Sequence, residues 1–287
     1  MRRRFQQVDV FSPEPFVGNP LAVVLDAEGL TTEEMARFAS WTNLSETTFL
    51  LPPTTADADY RVRIFSLAKE LPFAGHPTLG SCHAWLAAGG VPRDAGRIVQ
   101  ECGAGLVSIR RTEHGLAFSA PPLIRTGPVD EAFVDELAVV LGIGRGEIVD
   151  AQWADNGPGW VAVLLKDAAA VLALEPDFSR YSGGGSLDIG VVGAYPPGAE
   201  CAFEVRAVFS DEQGAMREDP VTGSLNASLA QWLLASGRAT APYVAGQGTR
   251  LGRRGRPRIE QDADGTVWVG GATLTCIRGE VEIQRPA

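Results

Sequence analysis

The chain has 287 residues, 45% of them hydrophobic and 21% charged, with 33 Gly, 19 Pro and a net charge of −10. That is chain enough for one large domain or two ordinary ones, and the acidic balance excludes a general nucleic-acid or anionic-membrane binder, which needs a basic field. No window approaches 18 uninterrupted apolar residues, so no membrane span is expected, and the four scattered cysteines, Cys82, Cys102, Cys201 and Cys276, read as reduced thiols of a cytoplasmic protein.

Met1-Arg-Arg-Arg4 has a charged start, but Gln6, Gln7 and Asp9 interrupt at once, so it does not read as a signal peptide. Gly18-Asn-Pro20 precedes the apolar run Leu21 to Leu25. A helix follows, opened by Thr31 with Glu34 three residues later as a capping box, and Met35, Phe38 and Ala39 form its apolar face. Glu46 falls between the end of this helix and a short apolar strand. A carboxyl there would be desolvated, with its pKa raised toward values useful in proton transfer. From local sequence alone Glu46 fits a surface glutamate at a strand start equally well. Tyr60, Val62 and Ile64 alternate with Arg61, Arg63 and Phe65 in the manner of a strand.

The segment from Glu70 to Gly89 then aligns without gaps on Glu218 to Gly237, at an offset of 148 residues. Six of the twenty positions match, and the flanks agree: Arg61 to Ser66 resembles Val205 to Ser210, and Gln100 matches Gln247. Hairpin signals at Glu113-His-Gly115 and Ala263-Asp-Gly265 follow in both copies. A fold duplicated once is expected. Pro-rich Ala120 to Leu123 marks the boundary, giving halves of 1–121 and 122–280, with the return of a short strand near 281–285 to the first half left open. The second half has its own opening helix, with Phe133, Leu137, Val140 and Leu141 at helical spacing and a stop at Gly142, before Asn156-Gly-Pro-Gly159 leads into the apolar run Trp160 to Leu165.

In each copy of the repeated segment a glycine, Gly75 or Gly223, stands where a loop turns into a helix of small apolar residues. Pro77 suits a first helical turn, and Ser224 can cap its own helix. A helix start exposes free N–H groups and partial positive charge, so two starts facing one cleft would bind a carboxylate without a lysine. Two capped core helices with no ligand are the plainer alternative. The three histidines, 76, 83 and 114, form no recognised metal motif. Gly142 to Gly146 lacks dinucleotide-loop spacing, and Gly183 to Gly185 reads as a loop whose service as a lid is left open. Arg250 to Arg258, five Arg in nine residues, fits a solvated loop or strand edge, or else an arginine that helps hold an acidic substrate.

Asn43-Leu-Ser-Glu-Thr-Thr-Phe49, Phe73-Ala-Gly-His-Pro-Thr-Leu-Gly80 and Glu218-Asp-Pro-Val-Thr-Gly-Ser224 closely resemble the PhzF-like (phenazine biosynthesis) isomerase family, a likeness running from Val8 to Gly271. The resemblance implies an α+β, diaminopimelate epimerase-like fold of two pseudo-symmetric halves, each a curved sheet or barrel around a central helix. It implies a cofactor-independent, metal-free isomerase that moves a proton by general acid/base catalysis, similar to trans-2,3-dihydro-3-hydroxyanthranilate isomerase. The catalytic glutamate, histidine and aspartate fall on Glu46, His76 and Asp219, and the substrate-binding positions on Gly75, Gly223 and Ser224. A small anionic metabolite and a second copy of the chain, as a homodimer, are the expected partners. The two-thiol racemases of this fold are disfavoured, since neither helix start carries a cysteine. A catalytically silent carboxylate-binding or scaffold protein is the alternative function.

Overall fold

The computed structural model describes residues 2–181, 183, 186–210 and 216–283, so the Gly183 to Gly185 run lies mostly outside the described residues. The chain divides into two compact units, 1–119 with 270–287, and 120–269.

In the first unit β1 (Arg2–Val10) and β2 (Asn19–Val24) pair antiparallel. Helix α1 (Thr32–Thr42) forms where the sequence places it: Thr31 accepts from the Glu34 N–H, the Glu34 carboxylate accepts from the Thr31 N–H, and Asn43 ends the helix in the left-handed region. The chain returns as β3 (Glu46–Leu51), parallel to β2, then β4 (Tyr60–Ser66), antiparallel to β3. A short β5 (Glu70–Leu71) folds back on β4 and delivers the chain to α2 (Gly75–Ala87). Strand β6 (Ile98–Cys102) lies parallel to β4, followed by the antiparallel β7 (Gly105–Thr112) and β8 (Gly115–Ser119).

The second unit begins with β9 (Arg125–Pro128) and α3 (Glu131–Leu141), which stops at Gly142 with φ 72°. From there β10 (Ile148–Asp155) pairs antiparallel with β9 and with β11 (Val161–Leu165). Helix α4 (Ala168–Ala173), capped by the Asp167 side chain, leads to β12 (Asp188–Ala194), parallel to β11. Next come β13 (Phe203–Ser210) and β14 (Met216–Asp219), each antiparallel to its predecessor, then α5 (Gly223–Ala235). Strand β15 (Tyr243–Gln247) lies parallel to β13, β16 (Arg258–Gln261) runs back against it, and a turn at Asp262 leads to β17 (Val267–Gly271). The pattern of parallel and antiparallel partners from β10 to β16 repeats that from β1 to β7. In this repeat the counterpart of α1 is the short α4, and the periodic helix α3 has no partner among the described residues of the first unit. The chain then re-enters the first unit as β18 (Thr273–Glu282), which pairs with β1 from Arg2 to Val10.

Helices α2 and α5 are apolar on nearly every side and correspondingly interior. In α2 the residues Gly75 to Cys82 and Ala84 are buried, against β1, β2, β3, β8 and β18. The approach is close enough that a Cβ at Gly80 would lie 2.5 Å from Leu21 Cδ2. In α5, Leu225, Leu229 and Leu233 cluster with Ala154, Ala162, Ala207 and Ala245 and with the larger Val192, Phe203 and Val205. The opposite faces of β11 and β12, through Val161, Val163, Ile189 and Val191, pack on Leu137 and Leu141 of α3 and Val171 of α4. Strands of this unit are thus buried on both faces, one toward the central helix and one toward the outer pair.

One polar device recurs on the hairpin before each central helix. Arg63 on β4 grips Glu70 on β5 through Nε–Oε1 at 2.7 Å and Nη2–Oε2 at 2.6 Å, and also donates to Thr32 Oγ1 at the start of α1. Arg206 on β13 grips Glu218 on β14 in the same bidentate way at 3.0 and 2.8 Å, and donates to the Val171 and Leu174 carbonyls at the end of α4. Each pair crosses the hairpin diagonally, because Phe65 opposes Glu70 and Val208 opposes Glu218.

Candidate active site

Three elements of the first unit bring their N-terminal ends together. Because β2 and β3 run parallel with Ala22 opposite Thr47, Asn19 and Glu46 both stand at strand starts. The turn into β2 is tight: the Gly18 N–H donates to Asp9 Oδ2, and a Cβ at Gly18 would lie 2.3 Å from the Val10 carbonyl oxygen. Helix α2 supplies His76, which is 3% exposed. Its Nε2 lies 3.4 Å from Glu46 Oε2, and its Nδ1 lies 3.3 Å from Asn19 Nδ2. An amide nitrogen only donates, so Nδ1 is the acceptor and the ring proton resides on Nε2, on the side where Glu46 lies.

Burial holds the His76 imidazole down at about 3, so the ring is neutral. The 3.4 Å approach to Glu46 is therefore a neutral N–H facing a carboxyl group rather than an ion pair. The Glu46 side chain is 18% exposed, so its carboxyl is largely removed from water while keeping an opening to it. At this helix start Ala74 offers no side-chain cap, and Pro77 sits within the first turn.

In the second unit α5 begins in the same uncapped way after Thr222. Ser224 does not cap its own helix, as its sequence position had suggested. It lies inside the first turn, its hydroxyl accepts from Trp160 Nε1 at 3.2 Å, and its carbonyl accepts from Asn156 Nδ2 at 2.9 Å. Asp219 ends β14, where Thr222 Oγ1 donates to Asp219 Oδ2 at 2.6 Å and Gln247 Nε2 donates to the Asp219 carbonyl at 3.2 Å. Gly223 is buried at the helix start beside Ser224.

The structure thus brings Glu46 and His76 together in one unit, and Asp219, Gly223 and Ser224 to one helix start in the other. Asn19, Asn156, Thr222 and Gln247 complete these arrangements without having been singled out from the sequence. Two signals pointed to three of them: an asparagine recurs before the first long apolar run of each half, and Gln247 matches Gln100 at an offset of 147, one residue from that of the repeat. Cys82 is buried inside α2 with its thiol pushed up to about 12 by that burial, which suits packing rather than nucleophilic chemistry. In the basic stretch Arg250 pairs with Glu175, Arg254 and Arg256 with Glu200, and Arg258 with Glu260, as a charge-balanced surface would.

A family model described as phenazine biosynthesis-like protein (PhzC-PhzF) matches residues 8–279. The chain is 35% identical over 296 residues to the protein named Antisense-enhancing sequence 1 of Schizosaccharomyces pombe, covering 96% of this chain and 97% of that one. It is 32% identical over 249 residues to trans-2,3-dihydro-3-hydroxyanthranilate isomerase of Pseudomonas fluorescens, 86% of each chain. The solved PhzF family protein of Bacillus anthracis shares the fold, with a TM-score of 0.80 at 23% identity over 99% of this chain and 100% of that one.

Proposed function

Because the chain belongs to the phenazine biosynthesis-like (PhzC-PhzF) family, we propose that it is an isomerase in which the Glu46 carboxylate carries a proton between two carbons of a small carboxylate-bearing substrate. The observation that carries this is the pairing of Glu46 with a buried, neutral His76 at an uncapped helix start. An allylic C–H beside an enamine or enol is a weak acid, so its removal needs a placed base and a stabilised anion. Glu46 takes that proton and returns it on the same face. The Nε2–H of His76 and the Asp219 carboxylate hydrogen-bond polar groups of the substrate, and backbone N–H groups at Gly75, Gly223 and Ser224 hold its carboxylate. These steps need no cofactor, since the only transfer is a proton. The substrate class follows the relative named trans-2,3-dihydro-3-hydroxyanthranilate isomerase.

The test is incubation with trans-2,3-dihydro-3-hydroxyanthranilate in deuterated water, following isomerisation and label uptake together. Glu46→Gln keeps the shape but cannot accept the proton, so turnover falls by about 10² to 10⁴. Equal turnover in wild type and variant removes Glu46 from the mechanism. Binding without turnover in the wild type favours a different substrate or a carboxylate-binding protein without turnover.

A further inference from the structure

We propose that Gln247 and Thr222 are positioning residues that fix Asp219 as a hydrogen-bond acceptor toward the substrate, an inference that rests on the role given to Asp219 above. Donor accounting carries it. The Thr222 backbone N–H donates to Gln247 Oε1 at 3.0 Å, and a backbone N–H has no other role. That fixes the orientation of the Gln247 amide, and Asn226 Nδ2 agrees by donating to the same oxygen at 2.7 Å. The Gln247 nitrogen therefore donates, to Thr222 Oγ1 at 2.9 Å and to the Asp219 carbonyl at 3.2 Å. With its oxygen already receiving a proton, the Thr222 hydroxyl directs its own at Asp219 Oδ2, 2.6 Å away, the length of a charge-assisted bond. The chain of donors runs one way, from Gln247 through Thr222 to Asp219, and Oδ2 can only accept. Gln247 is 0% exposed and Asn226 2%, so water does not compete for the bonds that join Gln247 to Thr222 and Asn226.

The first unit contains the same frame with a different end. Gln100, also 0% exposed, donates to Thr78 Oγ1 at 3.0 Å, and the Thr78 hydroxyl goes on to the Ala74 carbonyl at 2.9 Å. There the chain of donors only secures the start of α2. In the second unit the chain has the same two bonds but ends on a carboxylate instead of a carbonyl.

Thr222→Val keeps the side-chain shape and removes the hydroxyl; Thr222→Ser keeps the hydroxyl and removes the methyl. In protein with ¹³C-labelled aspartate, the carboxyl signal of Asp219, assigned through Asp219→Asn, should move in Thr222→Val and return in Thr222→Ser. With trans-2,3-dihydro-3-hydroxyanthranilate as substrate, kcat should fall roughly tenfold in Thr222→Val with KM changing less, and recover in Thr222→Ser. Gln247→Glu supplies an acceptor in place of the amide nitrogen and draws the hydroxyl away, so it should displace the same signal. An Asp219 signal unmoved by Thr222→Val and by Gln247→Glu overturns the proposal, as does a Thr222→Ser variant that behaves like Thr222→Val. If the wild type fails to turn over this substrate, the reading of the reaction falls, while the carboxyl signal still decides the proposal.

Discussion

His76 carries its weight as a neutral ring. Its ordinary value of 6.5 is lowered by burial to about 3, so the folded chain declines a proton that the unfolded chain accepts. Below pH 6.5 the unfolded state binds more protons, and stability falls with pH through the window from about 6.5 to 3, by up to about 1.4 kcal/mol per unit. Replacing His76 with Gln, which fills much of the same space without titrating there, should flatten this limb when urea unfolding is followed across that range. A slope unchanged by His76→Gln would mean that other groups set it. The acid/base pair itself was legible in the sequence because Glu46 and His76 sit in recognisable motifs. Asn19 was not, since the contact that fixes the tautomer of His76 joins residues 57 positions apart. The misreading of Ser224 has a local cause: one residue of helix start separates a capping position from an interior one, and Trp160, far away in sequence, claims the hydroxyl.

At the level of elements, the two Arg–Glu grips share a geometry and differ in burial. Arg206 and Glu218 have side chains 4% and 7% exposed, whereas Arg63 and Glu70 are at 23% and 39%. Removing one partner of a buried pair strands a charge and costs about 3–5 kcal/mol, but an exposed pair is worth about 1 kcal/mol or less. Glu218→Ala should therefore lower the unfolding free energy several times more than Glu70→Ala, as measured by chemical denaturation. Comparable losses would show that geometry, not burial, governs the cost. The repeat was visible in the sequence because the central helices keep their small apolar character at a fixed offset. The matching of the outer helices was not: α3 has the strong periodicity, while its six-residue neighbour α4 occupies the place of α1. Periodicity reports which face a helix buries, not where it stands in the topology.

For the whole molecule, the division into units does not follow the chain. Strand β18 lies along the full length of β1, and Val281 and Ile283 join Met35, Phe49 and Phe65 in one apolar cluster. A chain ended at residue 269 should lose amide protection in β1, β2 and α1 while retaining it through residues 120–269. Equal loss in both units under hydrogen exchange would overturn this expectation. The sequence left open the return of a short strand near 281–285 but did not mark the longer β18, which follows directly on the second copy of the repeat.

That return sets a timetable for synthesis. A ribosome delivers residues 1–119 early, yet the strand that covers β1 emerges only after the whole of 120–269. At roughly 5–20 residues per second, the wait lasts on the order of ten seconds or more. During it β1 presents an open edge of the kind that recruits other chains. The second unit is complete first, although it is made later, and nascent first units are where chaperone contact would concentrate.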